Sequence, residues 1–417
     1  MEHTGLLIHG KDHLMQAIPA IDVDPFTEEV LSDGTDFHQQ LLAAAPVVKL
    51  QQSEGHDIVG VGRDAVVRAI FENHTDFLNS RGGGILDLAR DEPFRKPGVL
   101  QETDPPYHDR VRKVMTDIIS PRHLRGLRQD FQRKADELVD NLLDMREFDA
   151  HTDLAEAYPM YVIPDAIMGV RPGGRENLLR YSIWLFESMG PKTPRAQQVI
   201  DSVDNVQGAL AWVTESTQRE NVAPGSFGAK LWEGVDQGLL SEEEAGLMTR
   251  SLVGAGVDTT IYALGLTFNL LLDNPVQYAL LHETPQLGKF AFEEGMRCGA
   301  PVRQIWRTPA RDLEIEGIPV REEQKIMLVL GAANHDPDRW GPTADDYDIN
   351  RDASGHLALG RGIHACVGAP IARLEADVLL STFARRVKSL ERLGPSEPYI
   401  NNTLRGWNSI PIRITPA

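Results

Sequence analysis

A helical segment between Ser241 and Asn274 constrains the fold more than any other part of this 417-residue chain. Ser241 followed three residues later by Glu244 is a capping box, which marks a helix start, and Asn274-Pro275 supplies the stop. These signals predict one helix of about 33 residues, roughly 50 Å long at 1.5 Å per residue. A helix of that length crosses a whole domain, so the other elements must pack around it.

The middle of this helix carries an unusual combination of residues. Gly254 and Gly256 each cost about 1 kcal/mol of helix stability relative to alanine, and Asp258, Thr259 and Thr260 follow in an otherwise apolar stretch. One explanation is a close helix crossing at the glycines, with the polar side chains turned to water. The other is a flat ligand lying against the glycines while the polar groups handle protons beside it. A buried acid favours the second explanation.

The remaining sequence predicts a mainly α protein with a small β region, an α-rich α+β fold. Helical periodicity dominates, as in Leu124–Met145, whereas alternating strand patterns are confined to "PVVKLQQ", "HDIVGVG", "DLEIEGIPV" and "KIMLVLG". The loops at 82–106 and 334–355 are typical of functional loops rather than linkers, so we expect a single domain over residues 1–417. The apolar window 252–272 contains polar residues that a bilayer span rarely tolerates, which favours a core helix.

Charge and cysteine content exclude several classes of function. The formal net charge of -19 opposes binding to phosphate backbones, so we expect no nucleic-acid partner. The two cysteines, Cys298 and Cys366, cannot form a disulfide framework or a four-cysteine zinc site. The stretch "MEHTGLLIHGKDHLMQ" lacks a basic segment followed by a long apolar core, so we expect no export signal. We therefore expect a cytoplasmic monomer that does not bind membranes.

The stretch "LGRGIHACVGAPIAR", which contains Cys366, allows three interpretations. A nucleophilic cysteine needs a base in reach, and His364 is near in sequence, but side chains two residues apart point away from each other. A zinc site needs more ligands than this stretch offers. A buried, inert thiol explains Cys298, which lacks a glycine context, but not Cys366.

The glycines around Cys366 favour a thiolate ligand. Gly360, Gly362 and Gly368 let the backbone turn sharply, so that amide groups point at the sulfur and the chain passes close to a planar ligand. We expect the helix that begins near Gly368 to lower the pKa of the thiol. A thiolate held in this way is suited to bind the iron of haem.

Several motifs in this sequence resemble those of one protein family. "LGRGIHACVGAPIAR" resembles the haem-thiolate signature of the cytochromes P450. Further motifs agree with that family in the same chain order: "DPPYHDRVR" at 104–112, "GAGVDTT" at 254–260, "EGMR" at 294–297, and Arg351 in "YDINRD". The resemblance extends over nearly the whole chain.

The resemblance implies that haem b lies between the long helix and the cysteine loop, with Cys366 as the axial ligand of its iron. Residues in the matching motifs are then expected to contact the haem: His364, His108, Arg112 and Arg307 at the propionates, and Gly360, Gly362, Gly368, Ala255 and Gly256 elsewhere. Glu294, Arg297 and Arg351 are expected to form a structural ion-pair network. Leu359 stands where the family usually has phenylalanine, which predicts a redox potential different from that of a Leu359→Phe variant.

Asp258 and Thr259 match the acid and alcohol pair that delivers protons to dioxygen in this family. Their presence favours a haem-thiolate monooxygenase over two alternatives: a non-catalytic haem-binding sensor or carrier, and a peroxygenase-like variant, which commonly lacks the pair. No dinucleotide or flavin motif is present, so electrons must come from another protein.

A basic segment suggests where that protein binds. It contains Arg110, Arg112, Lys113, Arg122, Arg125, Arg128, Arg133 and Lys134 against only Asp117 and Asp130. In such an acidic chain this segment favours a docking surface for an acidic ferredoxin, supplied by its reductase. A solvated helix face with no partner is the alternative.

The substrate class follows from a narrower resemblance. "DLAEAYP", "GRENLL", "VAPGSFGA" and "NNTLRGWNSIPI" are similar to segments of bacterial P450s that oxidise para-substituted benzoates, above all by O-demethylation of methoxybenzoate. In that branch an arginine and a serine hold the substrate carboxylate. Arg95 matches the arginine, Gly98 replaces the serine, and Arg250-Ser251 match an assisting pair.

The expected substrate pocket comprises Arg95, Gly98, Gln101, Phe186, Met189, Ser251, Gly254, Ala255, Arg303, Ile305 and Trp407. A missing charge-assisted hydrogen bond at Gly98 costs roughly 1.5 to 3 kcal/mol, and Met189 and Ile305, in place of aromatic residues, leave room for an alkyl group. These differences favour a neutral methoxyphenol with a para-alkyl chain, with para-methoxybenzoate as the second candidate. Hydroxylation of another para-substituted benzoate or hydrophobic small molecule stays open.

Overall fold

The structure is a computed structural model that describes residues 18–51, 57–170, 173–322 and 324–417. Helices account for most of the regular structure in these ranges. In chain order they are α1 Glu28–Ser32, α2 Thr35–Ala43, α3 Asp64–Glu72, α4 Tyr107–Ile118, α5 Pro121–Met145, α6 Pro159–Tyr161, α7 Glu176–Glu187, α8 Pro194–Ser202, α9 Val206–Ser216, α10 Phe227–Asp236, α11 Glu242–Asp273, α12 Pro275–Glu283, α13 Gly288–Gly299, α14 Leu330–Asn334, α15 Pro337–Trp340 and α16 Ala369–Arg386. The π-helical turns His151–Glu156 and Val162–Ile167 flank α6.

The strands form small sheets at the side of the helical body. They are β1 Ala20–Ile21, β2 Val48–Leu50, β3 Ile58–Val61, β4 Phe77–Leu78, β5 Glu147–Asp149, β6 Gln304–Pro309, β7 Leu313–Ile315, β8 Ile318–Val320, β9 Lys325–Val329, β10 Val387–Arg392, β11 Glu397–Ile400, β12 Arg405–Ser409 and β13 Pro411–Pro416. The largest sheet has the order β1-β2-β3-β9-β6-β4, and β10-β13-β5, β11-β12 and β7-β8 form the others. This arrangement confirms the α-rich α+β fold.

Helix α11 is the predicted central helix, and its capping box is present. The Glu244 amide donates to Ser241 Oγ at 3.1 Å, and the Ser241 amide donates to the Glu244 carboxylate at 2.8 Å. The helix continues for 32 residues. Within the described ranges it alone is long and apolar enough to span a bilayer, but 78% of its most apolar window is buried. It is therefore a core helix, as predicted.

Close contacts at small residues pack other helices against α11. Gly295 of α13 lies directly against Thr267, and Gly299 lies against Leu266. Near the middle of α11, Gly254 lies against the ring of Tyr181 from α7. A side chain at any of these glycines would push the helices apart. The glycines of α11 thus allow a close helix crossing, as the first of the two explanations holds. Asp258 and Thr260 are buried rather than turned to water, which contradicts the other part of that explanation.

The predicted strand segments are confirmed as β2, β3, β7, β8 and β9, with shorter bounds than the patterns suggested. "KIMLVLG" ends as a strand at Val329 because Leu330 begins the short helix α14. The 82–106 loop contains no helix or strand and packs against α7 through Phe94 and Trp184, whose ring centroids are 5.4 Å apart.

Candidate active site

The loop before α16 is closed by a hydrogen bond from the Cys366 amide to the Leu359 carbonyl at 2.8 Å. Gly360 and Gly362 have φ values of +65° and +71°, which glycine adopts at no steric cost. Gly362 also lies directly against the carbonyl of Phe71 in α3, where a side chain does not fit. These contacts explain why the cysteine lies among glycines.

The Cys366 side chain is exposed, yet its sulfur is surrounded by protein groups. Burial raises the pKa of the thiol, while the amides of Gly368 and Ala369 and the nearby cations Arg112 and Arg373 oppose the rise. We expected the helix N-terminus to lower this pKa, but the cost of burying a charge outweighs it. The sulfur is thus accessible but closely surrounded by protein groups, and a bound metal cation would favour its thiolate form.

Basic groups converge beside this cysteine. The rings of His108 and His364 are 4.3 Å apart, and Arg112 Nη1 donates to the Ala365 carbonyl at 2.7 Å. Arg307 is buried and lies over the ring of Phe71, 5.1 Å from its centroid. Burial lowers the pKa of Arg307 to about 10, which leaves it protonated at neutral pH. The four residues predicted to bind propionates are therefore brought together.

Two buried nitrogen atoms in this group have no hydrogen-bond partner. They are Nε2 of His108 and Nε2 of His364, which lies 3.8 Å from Asp104 Oδ1, too far for a hydrogen bond. Buried polar atoms are normally satisfied. A ligand with carboxylates would satisfy these atoms and neutralise Arg112 and Arg307. The cysteine, the glycine cradle and these donors thus fit haem, which offers iron, a flat ring and two propionates.

Asp258 lies in α11 and is only 2% exposed. Burial raises the pKa of its carboxyl well above the ordinary value, with a smaller contribution in the same direction from Glu156 and an opposing one from Ser182. Its Oδ1 atom has no hydrogen-bond partner. Burial therefore favours the protonated form of Asp258, and its Oδ1 atom is available for a further contact.

Thr259 and Thr260 both donate to carbonyls one turn earlier in α11. Thr259 Oγ1 donates to Ala255 O at 2.7 Å, and Thr260 Oγ1 donates to Gly256 O at 2.8 Å. Such bonds are common for hydroxyls inside helices. Thr259 is half-buried, and its oxygen keeps lone pairs that can accept a proton or hydrogen bond.

Glu294, Arg297 and Arg351 form a compact ion-pair network. Arg297 donates to both carboxylate oxygens of Glu294, at 2.7 and 2.8 Å, and Arg351 Nε donates to Glu294 Oε1 at 3.0 Å. Arg297 also donates to the carbonyls of Asn334, Ala344 and Asp346. These contacts fasten α13 to the chain segment that leads to Cys366, which is a structural role.

Two of the predicted pocket residues, Arg95 and Met189, line one narrow cavity. Gly84 and Glu102 of the 82–106 loop, which were not predicted, line it with them. Arg95 donates two hydrogen bonds to the Glu102 carboxylate, at 2.8 and 3.1 Å. Gly98 is close to the side chain of Gln101. Arg95 is thus already paired with an acid of the same loop.

Helix α7 supplies aromatic walls between this loop and α11. Tyr181 contacts Gly254, and its ring centroid is 6.0 Å from that of Trp184, which in turn contacts Phe94. Phe186 is buried in the same helix. On α11, Ala255 and Ser251 are half-buried near the same glycine. This aromatic face, made by Phe94, Tyr181 and Trp184, adjoins the segment of α11 that contains Asp258.

The other predicted pocket residues lie in the β region. Arg303 donates to the carbonyls of Leu404 and Leu31, so its guanidinium is directed to backbone oxygens. Ile305 is in β6, and Trp407 in β12 has a buried indole Nε1 without a partner. The structure gives no contact of these three residues with Arg95.

Sequence reasoning did not identify Glu102, Tyr181, Ser182 or Glu375. Ser182 Oγ donates to the Gly254 carbonyl at 3.3 Å. Glu375 of α16 is fully buried, and neither carboxylate oxygen has a partner. The polar positions in α7 and α16 were a weak signal for Ser182 and Glu375, whereas no pattern marked the contact of Glu102 with Arg95.

Comparisons with known proteins agree with this geometry. The family model described as Cytochrome P450 matches residues 177–403. The chain is 41% identical to cytochrome p450 CYP199A2 of Rhodopseudomonas palustris over 401 residues, 96% of this chain and 95% of that protein. It is 31% identical to cytochrome P450 107B1 of Saccharopolyspora erythraea over 382 residues, 88% and 92% of the two chains.

Solved structures show the same fold. The structure of CYP108D1 from Novosphingobium aromaticivorans has a TM-score of 0.83 and 26% identity, covering 96% of this chain and all of that one. CYP109Q5 from Chondromyces apiculatus has a TM-score of 0.79 and 28% identity, covering 95% and 99%. With a cysteine loop and a basic group that fit haem b, the chain belongs to the cytochrome P450 family of haem-thiolate monooxygenases.

Proposed function

We propose that this P450 removes the methyl group of a methoxylated aromatic compound, preferably a neutral methoxyphenol with a para-alkyl chain. The reaction consumes one dioxygen, two electrons and two protons and hydroxylates the methyl carbon. The resulting hemiacetal collapses to a phenol and formaldehyde, and the second oxygen atom leaves as water. Para-methoxybenzoate is the second candidate substrate.

In this proposal the Cys366 thiolate would hold the haem iron, and His108, Arg112, Arg307 and His364 would hold the propionates. The fit rests on the exposed sulfur inside a glycine-lined loop and on the unpartnered Nε2 atoms of the two histidines. Bound haem supplies the oxygen activation, which a thiolate ligand promotes. The protein positions the substrate, excludes water and supplies protons.

The protons pass through Asp258 and Thr259. Burial of Asp258 raises the pKa of its carboxyl well above the ordinary value, which favours the protonated form that can donate a proton. Thr259 lies on the next position of α11, where its hydroxyl donates to Ala255 O and its lone pairs remain available. General acid groups of this kind contribute about 10² to 10⁴ in rate. We assign Asp258 as proton donor and Thr259 as the hydroxyl that relays the proton.

The aromatic face of Phe94, Tyr181 and Trp184 is the observation that most supports an aromatic substrate. Edge-to-face and offset contacts with aromatic rings favour a flat ring as ligand. Because Tyr181 contacts Gly254, a ring held against this face lies next to the part of α11 that contains Asp258. A methoxy group at the end of such a ring would lie near this part of α11, which supports the proposal.

Titration of the ferric holoprotein tests this substrate class. We expect a para-alkyl methoxyphenol to shift the Soret band from the low-spin to the high-spin position, because a ring bound against the aromatic face would exclude water from the haem pocket. A protein that shows no shift with methoxyphenols or methoxybenzoates, but shifts with another class of molecule, would contradict the proposal.

The electron donor is proposed to be an acidic ferredoxin that binds a groove of about 560 Å³ next to the cysteine loop. The groove is lined by Leu124, Arg125, Arg128, Lys289, Phe290, Glu293, Pro370, Arg373, Leu374 and Asp377. Its four cations outnumber its two acids in a chain of net charge -19. Arg373 is close enough to affect the Cys366 thiol, so the groove lies on the cysteine side of the protein.

Only part of the predicted basic segment contributes to this groove. Arg125 and Arg128 line it, whereas Arg110 pairs with Glu244 and Arg112 is directed to the cysteine loop. Phe290 is 42% exposed in the groove and offers an apolar contact. A positive surface with an exposed aromatic residue suits an acidic protein partner.

A further inference from the structure

We propose that Glu102 is a built-in carboxylate that occupies the anion-binding position of the substrate pocket and thereby selects neutral substrates. This inference rests on the proposed O-demethylation of a methoxylated aromatic and names its charge class. Four observations support it: the hydrogen-bond donors around Glu102, the burial of Arg95 and Glu102, the cavity that these two residues line, and the hydrogen bonds that occupy the other cations nearby.

The carboxylate of Glu102 is bound as a substrate carboxylate would be. Arg95 donates from Nη1 and Nη2, at 2.8 and 3.1 Å, to the two oxygens. The amide of Gly98 donates to Oε2 at 2.7 Å, and the amide of Gly83 donates to Oε1 at 3.3 Å. Each oxygen therefore accepts one guanidinium and one backbone hydrogen bond. A bidentate arginine with two amides is a complete receptor for one carboxylate.

Both partners are largely buried, with 16% exposure for the Arg95 side chain and 7% for Glu102. A buried ion pair is stable only while its charges balance. A second carboxylate entering the site would share one guanidinium with Glu102, and like charges at such a distance strongly disfavour each other. An anionic substrate must therefore lose affinity here, whereas a neutral one does not.

The pair lies where it can affect the substrate. Arg95 and Glu102 line the same cavity as Phe94 and Met189. Both charges also act on the Tyr181 hydroxyl, whose pKa is raised mainly by burial, and Tyr181 contacts Gly254 of α11. The receptor thus lies beside the aromatic face.

Other cations of the pocket region are directed to backbone carbonyls. Lys325 is close enough to Glu102 to feel its charge, but its Nζ donates to the carbonyls of Arg81 and Gly82 at 3.0 and 3.1 Å. Arg250 donates to the Lys96 carbonyl at 3.2 Å, and Arg303 is directed to the carbonyls of Leu404 and Leu31. A benzoate would therefore need to displace Glu102 itself. Gly98 brings its amide close to Glu102, and a side chain at this position would meet Gln101 Oε1.

The test compares 4-methoxybenzoate with 4-methoxybenzamide, which has the same shape without the charge, by Soret titration of the ferric holoprotein. In the wild type we expect the amide to bind at least tenfold more tightly. In Glu102→Ala we expect benzoate binding to tighten at least tenfold, while amide binding changes less than threefold. The double variant Glu102→Ala/Arg95→Ala should lose the gain, because no cation then receives the benzoate. Glu102→Gln removes the charge but keeps the volume, and a smaller gain is expected.

Equal or tighter binding of benzoate by the wild type would overturn the inference, as would Glu102→Ala with unchanged benzoate affinity. Should Glu102→Ala not give the red-shifted carbon monoxide band of a folded P450, the wild-type comparison of the two ligands decides alone. Failure of the proposed function gives a different result: neither ligand shifts the Soret band and no formaldehyde is released. That outcome removes both proposals, whereas a benzoate-preferring demethylase removes only this one.

Discussion

Ser182 Oγ donates a hydrogen bond to the carbonyl oxygen of Gly254 at 3.3 Å, one helical turn before the buried acid Asp258. Burial raises the pKa of the Asp258 carboxyl, and Ser182 opposes part of the rise, so the hydroxyl lies close to both groups. A side chain of α7 therefore helps to position the acid on α11. Ser182 is a positioning residue in this account, whereas Asp258 acts on the proton itself.

We predict that Asp258→Asn lowers product formation by roughly 100-fold or more, since a general acid is lost. Ser182→Ala should lower it by about 2- to 10-fold, the value of one hydrogen bond. The measurement is product and hydrogen peroxide formed per NADH, together with the solvent isotope effect, which a purely structural role would not raise. Ser182→Thr keeps the hydroxyl and should retain activity. An unchanged isotope effect in Ser182→Ala would contradict the positioning role.

Glu375 predicts a specific dependence of stability on pH. Burial raises the pKa of its carboxyl from 4.5 to about 8. Between these values the unfolded chain releases the proton while the folded protein keeps it, so this group lowers the free energy of unfolding as pH rises from 4.5 to 8. Glu375→Gln removes that loss. We expect the variant to match the wild type near pH 4.5 and to exceed it by a few kcal/mol near pH 8.

Urea unfolding of the holoprotein at both pH values, followed by the Soret band, measures this difference. Glu137→Gln is a suitable control, because Glu137 is exposed and its pKa is lowered by Arg133 rather than raised. A stability difference between Glu375→Gln and the wild type that does not grow with pH would be inconsistent with a protonated Glu375.

Leu359 bears on the redox potential because its carbonyl accepts the hydrogen bond from the Cys366 amide. Reduction adds a negative charge to the iron–thiolate unit, and a dry surrounding disfavours added charge. The phenylalanine ring is larger than the leucine side chain and should exclude more water from the thiolate. We therefore predict a lower potential for Leu359→Phe than for the wild type, measured by spectroelectrochemistry, with Leu359→Met as a control of similar volume. Equal potentials for all three proteins would refute the prediction.

The proposed ferredoxin groove makes a prediction about turnover. Arg125→Glu should raise the KM for an acidic ferredoxin several-fold and weaken its dependence on salt, since a docking charge is reversed. Lys49→Glu, a charge reversal at an exposed residue of β2 outside the groove, is the matched control and should leave KM unchanged. If both variants and raised salt leave turnover unaffected, the groove is not the docking surface.

Features of local sequence were predictable. The length of α11 followed from Ser241, Glu244 and Asn274-Pro275, since caps and stops act within a few residues of themselves. The short strands followed from alternation. The π-helical turns around α6 were not predictable, because no local signal separates them from ordinary helix.

The candidate site was predictable where several residues share one motif, as around Cys366. The ion pair that Arg95 forms with Glu102 was not predictable. Glu102 lies seven positions later in a loop without periodicity, so only the folded loop shows that the guanidinium is occupied. Ser182 was missed for a similar reason, since its role depends on the crossing of α7 over α11 at Gly254. Two expectations stay predictions: a single domain, and the roles given to the pocket residues.

Formaldehyde release tests the central claim most directly. The holoprotein, reconstituted with a ferredoxin and its reductase, is supplied with NADH and a para-alkyl methoxyphenol, and formaldehyde, phenol and consumed NADH are quantified. We expect one formaldehyde and one phenol for each NADH consumed productively. Efficient NADH consumption with a ring-hydroxylated product that keeps its methoxy group, or productive turnover only of a molecule without a methoxy group, would contradict it.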